Sequence, residues 1–249
     1  MTVLFRLYVV RHGETEWNKT RRIQGQIDVP LNEMGIEQAG LVAKALKDVP
    51  FVKAYTSDLQ RASKTAEAII QYHPSVVLER DQAIRERLIA EPAPLSSPRK
   101  QHMGELQGEL GGWGRKPAPS LETTPALIQR CQAWYSRSIA GYMLSRIKEG
   151  LPDRKPQNIL VVSHGGWIAV LLSSLTANNV VTCAEGITIG HHLNTGVSII
   201  EYAVEATGKE RSLVGHLVQY SDVSHLVHED MRRQEATADV LVDQGRIPE

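Results

Sequence analysis

Val9-Val10-Arg11-His12-Gly13-Glu14-Thr15-Glu16-Trp17-Asn18 is the stretch on which the reading of this chain turns. The run from Leu4 to Val10, apolar except for Arg6, reads as a short buried strand. It stops at an Arg-His-Gly triplet, where Gly13 is expected to let the backbone turn sharply. Arg11 and His12 would then project from the carboxyl end of the strand, the edge at which open α/β sheets bind ligands. A cation beside an imidazole at that edge suggests a nucleophile facing an anionic group. A loop carrying a solvated arginine explains the triplet equally well, so the rest of the chain has to decide.

The following segments supply the context. Asn32 is placed to cap a first helix whose apolar face runs through Leu41, Ala45 and Leu46. Val52 to Thr56 reads as a strand, and Ser57-Asp58 as the cap of a helix from Leu59 to about Tyr72. That places Arg61 in a first helical turn, where the helix dipole disfavours a cation unless an anion binds there. Ser75 to Leu78 reads as a third strand. Thr124-Pro125 begins a long amphipathic helix carrying Leu127, Ile128, Cys131, Trp134, Tyr135, Ile139 and Met143 at helical spacing. Its aromatic residues read as core.

Ile159-Leu160-Val161-Val162 is short and wholly apolar, as a central parallel strand should be. It runs into Ser163-His164-Gly165-Gly166 and a further helix, a second strand–His–Gly–helix junction with backbone N–H groups offered to an anion. Asn194 to Tyr202 reads as a turn and a strand, and Leu213 to Val218 as an edge strand paired with it. The fold class expected is a three-layer α/β/α domain over 1–249 with a mostly parallel sheet and a polar carboxyl-terminal tail.

Composition narrows the function classes. Lys plus Arg total 28 and Asp plus Glu total 28, so no global field draws the chain to nucleic acid or to a membrane surface. No apolar run approaches the roughly 20 residues that span a bilayer. Cys131 and Cys183 lie far apart without metal-ligand spacing. A reduced cytoplasmic setting fits, with the nucleus also open. Oligomeric state is not legible.

Two imidazoles and two guanidiniums at one sheet edge suit a phosphoryl group, because forked arginines neutralise its equatorial oxygens. A neutral imidazole can attack phosphorus and form a covalent intermediate. Metal ligation is the rival use of two histidines, but adjacent arginines would repel a cation.

The run from Val9 to Asn18 resembles the opening motif of the histidine phosphatase superfamily, the phosphoglycerate mutase-like family. The resemblance continues in order through Ile23-Gln24-Gly25, Thr56-Ser57-Asp58-Leu59-Gln60-Arg61-Ala62, Arg85-Glu86-Arg87, Ser163-His164-Gly165-Gly166 and Asn194-Thr195-Gly196-Val197. It implies that His12 is the nucleophile that becomes phosphohistidine. Arg11, Arg61 and His164 match the residues that grip the phosphoryl oxygens, and Gly165 accompanies them. Asn18 matches a polar residue of the same pocket, and Gln24 lies on a substrate-contacting loop. Glu86 matches the carboxyl group that protonates the leaving oxygen and then activates water.

Neither metal nor organic cofactor is implied, and the expected partner is a small phosphorylated substrate. Gly166, where mutases usually carry Asn, favours the phosphatase branch over phosphoglycerate mutase-type transfer. One departure stands out. Relatives follow the Glu-Arg pair closely with a Gly-x-x-x-Gly segment, whereas here Leu88 to His102 intervenes before Gly104-Glu105-Leu106-Gln107-Gly108. Such an insertion stands to displace Glu86, with Glu91 and Glu105 as substitutes, or to leave a phosphate-binding protein with a disabled acid.

Overall fold

The computed structural model describes residues 2–89, 121–150, 155–207 and 210–226. Glu91, Glu105, most of the inserted stretch and the polar tail lie outside the described residues.

A seven-stranded sheet has the order β3-β2-β4-β1-β6-β7-β5. Its strands are β1 (Val3–Arg11), β2 (Phe51–Thr56), β3 (Leu78–Arg80), β4 (Gln157–Ser163), β5 (Val181–Cys183), β6 (Val197–Thr207) and β7 (Glu210–Asp222). The pairs β1–β4, β2–β4, β2–β3 and β5–β7 are parallel, and β6 joins β1 and β7 in antiparallel fashion. The mostly parallel sheet expected from the apolar runs is present.

Side chains of the central strands alternate between two cores, as a period of two requires. Leu7 and Val9 of β1, with Ile159 and Val161 of β4, enter one core with Leu127, Trp134, Ile139, Met143 and Trp167. Tyr8, Val10, Leu160 and Val162 enter the other with Val42, Leu46, Ala62 and Ile69. Each fully buried aliphatic side chain contributes about 1.5–3 kcal/mol, so sheet faces this apolar are driven beneath helices.

Helices α2 (Glu33–Leu46) and α3 (Gln60–Ile70) supply the second core. Helix α4 (Thr124–Trp134), a π turn (Tyr135–Ala140), and helices α5 (Gly141–Glu149) and α6 (Gly165–Ala177) supply the first. A four-residue helix, α1 (Glu16–Lys19), follows β1 and is closed by a capping box between Thr15 and Asn18.

Several local expectations change. Asn32 caps α2 as read, accepting from the Gly35 N–H. Ser57 and Asp58 do not cap α3: Leu59 holds the cap position without a side-chain bond, because tertiary partners engage both polar residues. The third strand is Leu78–Arg80, where the backbone comes into register with Ala54–Thr56. The strand containing Leu213 to Val218 is internal, since β5 pairs with its outer side. Gly13 is not among the glycines with positive φ. Its missing side chain is required by close approach, because a Cβ there would collide with the Gly35 carbonyl oxygen.

Candidate active site

The register of the two central strands builds the site. Arg11 of β1 pairs with Ser163 of β4, so the next residue on each strand, His12 and His164, emerges side by side. Their ring centroids are 5.2 Å apart. The ladder continues past the strand ends through a 3.0 Å bond from the His12 N–H to the Ser163 carbonyl. Both histidines are at most 1% exposed.

The His12 Nδ1 lies 2.6 Å from the Gly13 carbonyl oxygen. A carbonyl can only accept, so Nδ1 carries the proton and Nε2 keeps a lone pair. Burial, then the Arg61 and Arg11 charges, hold the His12 pKa well below the usual imidazole range. The ring is therefore neutral and nucleophilic at neutral pH.

Backbone carbonyls hold the two arginines. Arg61 donates to Gly25 at 2.8 Å and Ile27 at 2.7 Å, and Arg11 donates to His192 at 2.7 Å. Both guanidiniums are almost fully buried. Gly165 permits the Arg11 placement, since a Cβ there would sit 3.2 Å from its Nε. The fork of Arg61, expected from sequence alone at the start of a helix, thus reaches the same edge as His12.

Asn18 and Gln24 complete one wall. Thr15 Oγ1 lies 3.0 Å from Gln24 Oε1 and 3.1 Å from Asn18 Oδ1, which leaves each amide nitrogen turned away from Thr15. Asn18 Nδ2 and Gln24 Nε2 are buried donors with no hydrogen-bond partner among the described residues. His164 Nδ1 is a third such atom. Buried polar atoms are almost always paired, so three orphans around two guanidiniums point to an oxygen-rich anionic ligand.

Glu86 is 4% exposed and stays beside the site despite the insertion that follows. Its Oε2 accepts from the Gly166 N–H at 2.9 Å and its Oε1 from the Arg87 N–H at 2.8 Å. The N–H of Gly166, expected to serve an anionic ligand directly, is thus engaged by a carboxyl oxygen of the protein. The absence of a side chain at Gly166 lets the carboxyl sit this close, because a Cβ would approach Glu86 Oε1 to 2.6 Å and push it back.

The Glu86 backbone is held from a distance. Arg130 of α4 donates to the carbonyls of Ala83, Arg85 and Glu86 while its guanidinium pairs with Glu122. Gln26 also donates to the Glu86 carbonyl at 3.0 Å. The chain then leaves and returns at one place: Leu88 and Glu122 exchange bonds of 3.0 and 3.1 Å.

Sequence reasoning missed four contributors. Ser57 Oγ is 2.8 Å from His164 Nε2. Asn194 Nδ2 donates to the His12 carbonyl at 2.9 Å, and the Thr195 N–H bonds to the Arg11 and His12 carbonyls. Arg130 was invisible as a support of Glu86 because no local pattern links residues so far apart in sequence. Among the described residues, no helix is long and apolar enough to cross a membrane.

The sequence profile of the histidine phosphatase superfamily (branch 1) matches residues 7–215. The chain is 30% identical over 223 residues to fructose-2,6-bisphosphatase TIGAR B of Danio rerio, covering 78% of this chain and 85% of that protein. It is 40% identical over 172 residues to the probable phosphoglycerate mutase GpmB of Cronobacter sakazakii, covering 69% and 75%. The structure resembles a mycobacterial glucosyl-3-phosphoglycerate phosphatase with a TM-score of 0.61 at 22% identity, covering 87% of this chain and 100% of the other. A profile spanning most of the chain, on a sheet whose central strands bring the Arg-His-Gly and Ser-His-Gly junctions together, places this protein in the histidine phosphatase superfamily.

Proposed function

We propose that the protein is a phosphomonoesterase that needs no metal and hydrolyses small phosphorylated metabolites through a phosphohistidine at His12. The observation that carries this reading is the 2.6 Å contact of His12 Nδ1 with the Gly13 carbonyl oxygen, which commits the ring proton to Nδ1 and leaves Nε2 its lone pair between two arginines. In the first step the Nε2 lone pair attacks phosphorus, and the ester P–O bond breaks with its electron pair passing to the leaving oxygen. The Glu86 carboxyl, entering protonated, gives that oxygen its proton. In the second step water attacks the phosphohistidine, Glu86 accepts the water proton, and the P–N bond breaks to return the lone pair to Nε2. Arg11 and Arg61 neutralise the equatorial oxygens throughout, while Asn18, Gln24 and His164 supply the orphaned polar atoms.

Water rather than a second phosphate ester is the favoured acceptor. Asn, which mutases usually carry after the second His-Gly, would need a Cβ where Glu86 lies against Gly166. Phosphate release from a panel of sugar, glycerol and p-nitrophenyl phosphates tests the reading, with His12→Ala as the control. Turnover should vanish in that variant, and acid-labile label from phosphorus-32 substrate should appear on the wild type alone. Activity that survives His12→Ala defeats the mechanism. Rapid isomerisation of 3-phosphoglycerate with a 2,3-bisphosphoglycerate primer, without phosphate release, defeats the hydrolase.

A further inference from the structure

Ser57 is fully buried and follows β2 directly, at the edge of the sheet where the two histidines emerge. Its Oγ makes two side-chain contacts. It accepts from the Leu59 N–H at 3.3 Å and lies 2.8 Å from His164 Nε2. The remaining ring nitrogen of His164, Nδ1, is buried and has no hydrogen-bond partner among the described residues.

Two arrangements of protons are possible along this Ser–His contact. If Nε2–H donates to Ser57, the serine hydroxyl proton has no acceptor in a fully buried place, and Nδ1 turns a lone pair towards an anion. If the hydroxyl donates to Nε2, the Leu59 N–H fills an Oγ lone pair, the hydroxyl proton is used, and Nδ1 bears a proton. The second arrangement uses the buried hydroxyl proton that the first leaves unmade and leaves one donor, Nδ1–H, for a phosphoryl oxygen to fill; an unmade buried bond is the costly case.

We propose that Ser57 is a positioning residue that fixes His164 as its Nδ1–H tautomer, so that a neutral imidazole donates a hydrogen bond to a non-bridging phosphoryl oxygen. This rests on the reading that the phosphoryl group occupies the pocket beside His12. Burial, with the Arg61 guanidinium next in weight and Arg11 behind it, holds the His164 pKa well below its ordinary value, which removes the doubly protonated ring as the donor. The device lets the pocket contribute a donor without adding a third charge.

Long-range proton–nitrogen correlation spectra of the full chain labelled with nitrogen-15 read the tautomer directly, with His164 assigned by its loss in His164→Gln. Nε2 should resonate as an unprotonated nitrogen and Nδ1 as a protonated one. A protonated Nε2, alone or with Nδ1, overturns the proposal. In Ser57→Ala both tautomers should be populated and kcat/KM should fall about tenfold, the factor one net hydrogen bond sets on an equilibrium. Ser57→Thr should restore both readouts. An alanine variant with the wild-type tautomer and wild-type kcat/KM refutes the role of Ser57. Orthovanadate, as a phosphoryl mimic, should move the Nδ1–H signal; if it moves His12 but not His164, this inference fails while the phosphohistidine reading stands.

Discussion

Replacing Gly166 by alanine should separate catalysis from stability. The added Cβ meets Glu86 Oε1 at 2.6 Å, where ordinary contact is about 3.4 Å, so the carboxylate must retreat by about 0.8 Å. That shift also loosens the 2.9 Å bond from the Gly166 N–H. A general acid contributes about 10²–10⁴-fold, and misplacement by about 1 Å costs about 10²-fold. Loss of kcat/KM should therefore be about 10- to 100-fold on alkyl phosphates, whose leaving oxygen needs the proton. With p-nitrophenyl phosphate, which leaves as a stable phenolate, kcat/KM should fall by less than about threefold, because proton transfer contributes little to phosphorylation of His12 there. By contrast, kcat falls on both substrates wherever the water step that Glu86 also serves is limiting.

Stability moves differently. Gly166 lies in the first turn of α6, and an alanine that helical backbone accepts gains about 0.4–1 kcal/mol by restricting the unfolded chain. The weakened Glu86 bond costs about the same. Tm should thus stay within about 3 °C. Steady-state assays on a series of leaving groups, beside thermal melts, make the comparison. Equal losses of kcat/KM on alkyl and nitrophenyl phosphates would refute the reasoning, since a displaced acid cannot slow a phosphorylation step that does not need it.

Arg130→Leu should free the Ala83–Glu86 carbonyls and strand Glu122, costing about 3 kcal/mol of stability by denaturant unfolding and lowering kcat on alkyl phosphates. Unchanged kcat would show that Glu86 is held without it. Since Leu88 and Glu122 bond to each other, joining residues 89 and 121 by a four-residue Gly-Ser linker should keep the fold, seen as a cooperative thermal melt. An unfolded product would contradict the closed ends. His192 is fully buried with a pKa pushed down to about 3, against 6.5 for an ordinary imidazole. The unfolded chain therefore binds the proton first, so stability is complete above pH 6.5 and falls as pH drops towards 3. Between pH 7 and pH 5 this one group should cost about 2 kcal/mol, seen as a Tm loss of about 4–8 °C, and a flat Tm over that range would disprove it.

Much of the site was legible because its parts are local. The apolar runs of β1 and β4 announce central strands, and the residues that end them, Arg11-His12 and Ser163-His164, need only the register of parallel neighbours to meet. Arg61 was conspicuous as a cation at a helix start. What escaped reading depends on contacts between distant segments. Ser57 satisfies the pattern of a helix cap, yet a histidine 107 residues away takes its hydroxyl. The insertion after Glu86 looked disruptive because the bonds joining Leu88 to Glu122, and the reach of Arg130 from α4, leave no periodic trace. Strand β5 is three residues long and shows no alternation, so the sequence alone reads β7 as an edge.

The spacing of His12 and His164 is set by peptide hydrogen bonds between the two innermost strands, not by the side chains around them. Chemistry is thereby written into the part of the molecule that should open last. Amide exchange at Val9, Val10, Val161 and Val162 should report the global opening free energy, and loss of turnover in denaturant should coincide with loss of the sheet itself. Surface segments are then at liberty to diverge in the choice of substrate, since no change among them can pull the two imidazoles apart while the ladder between β1 and β4 remains closed.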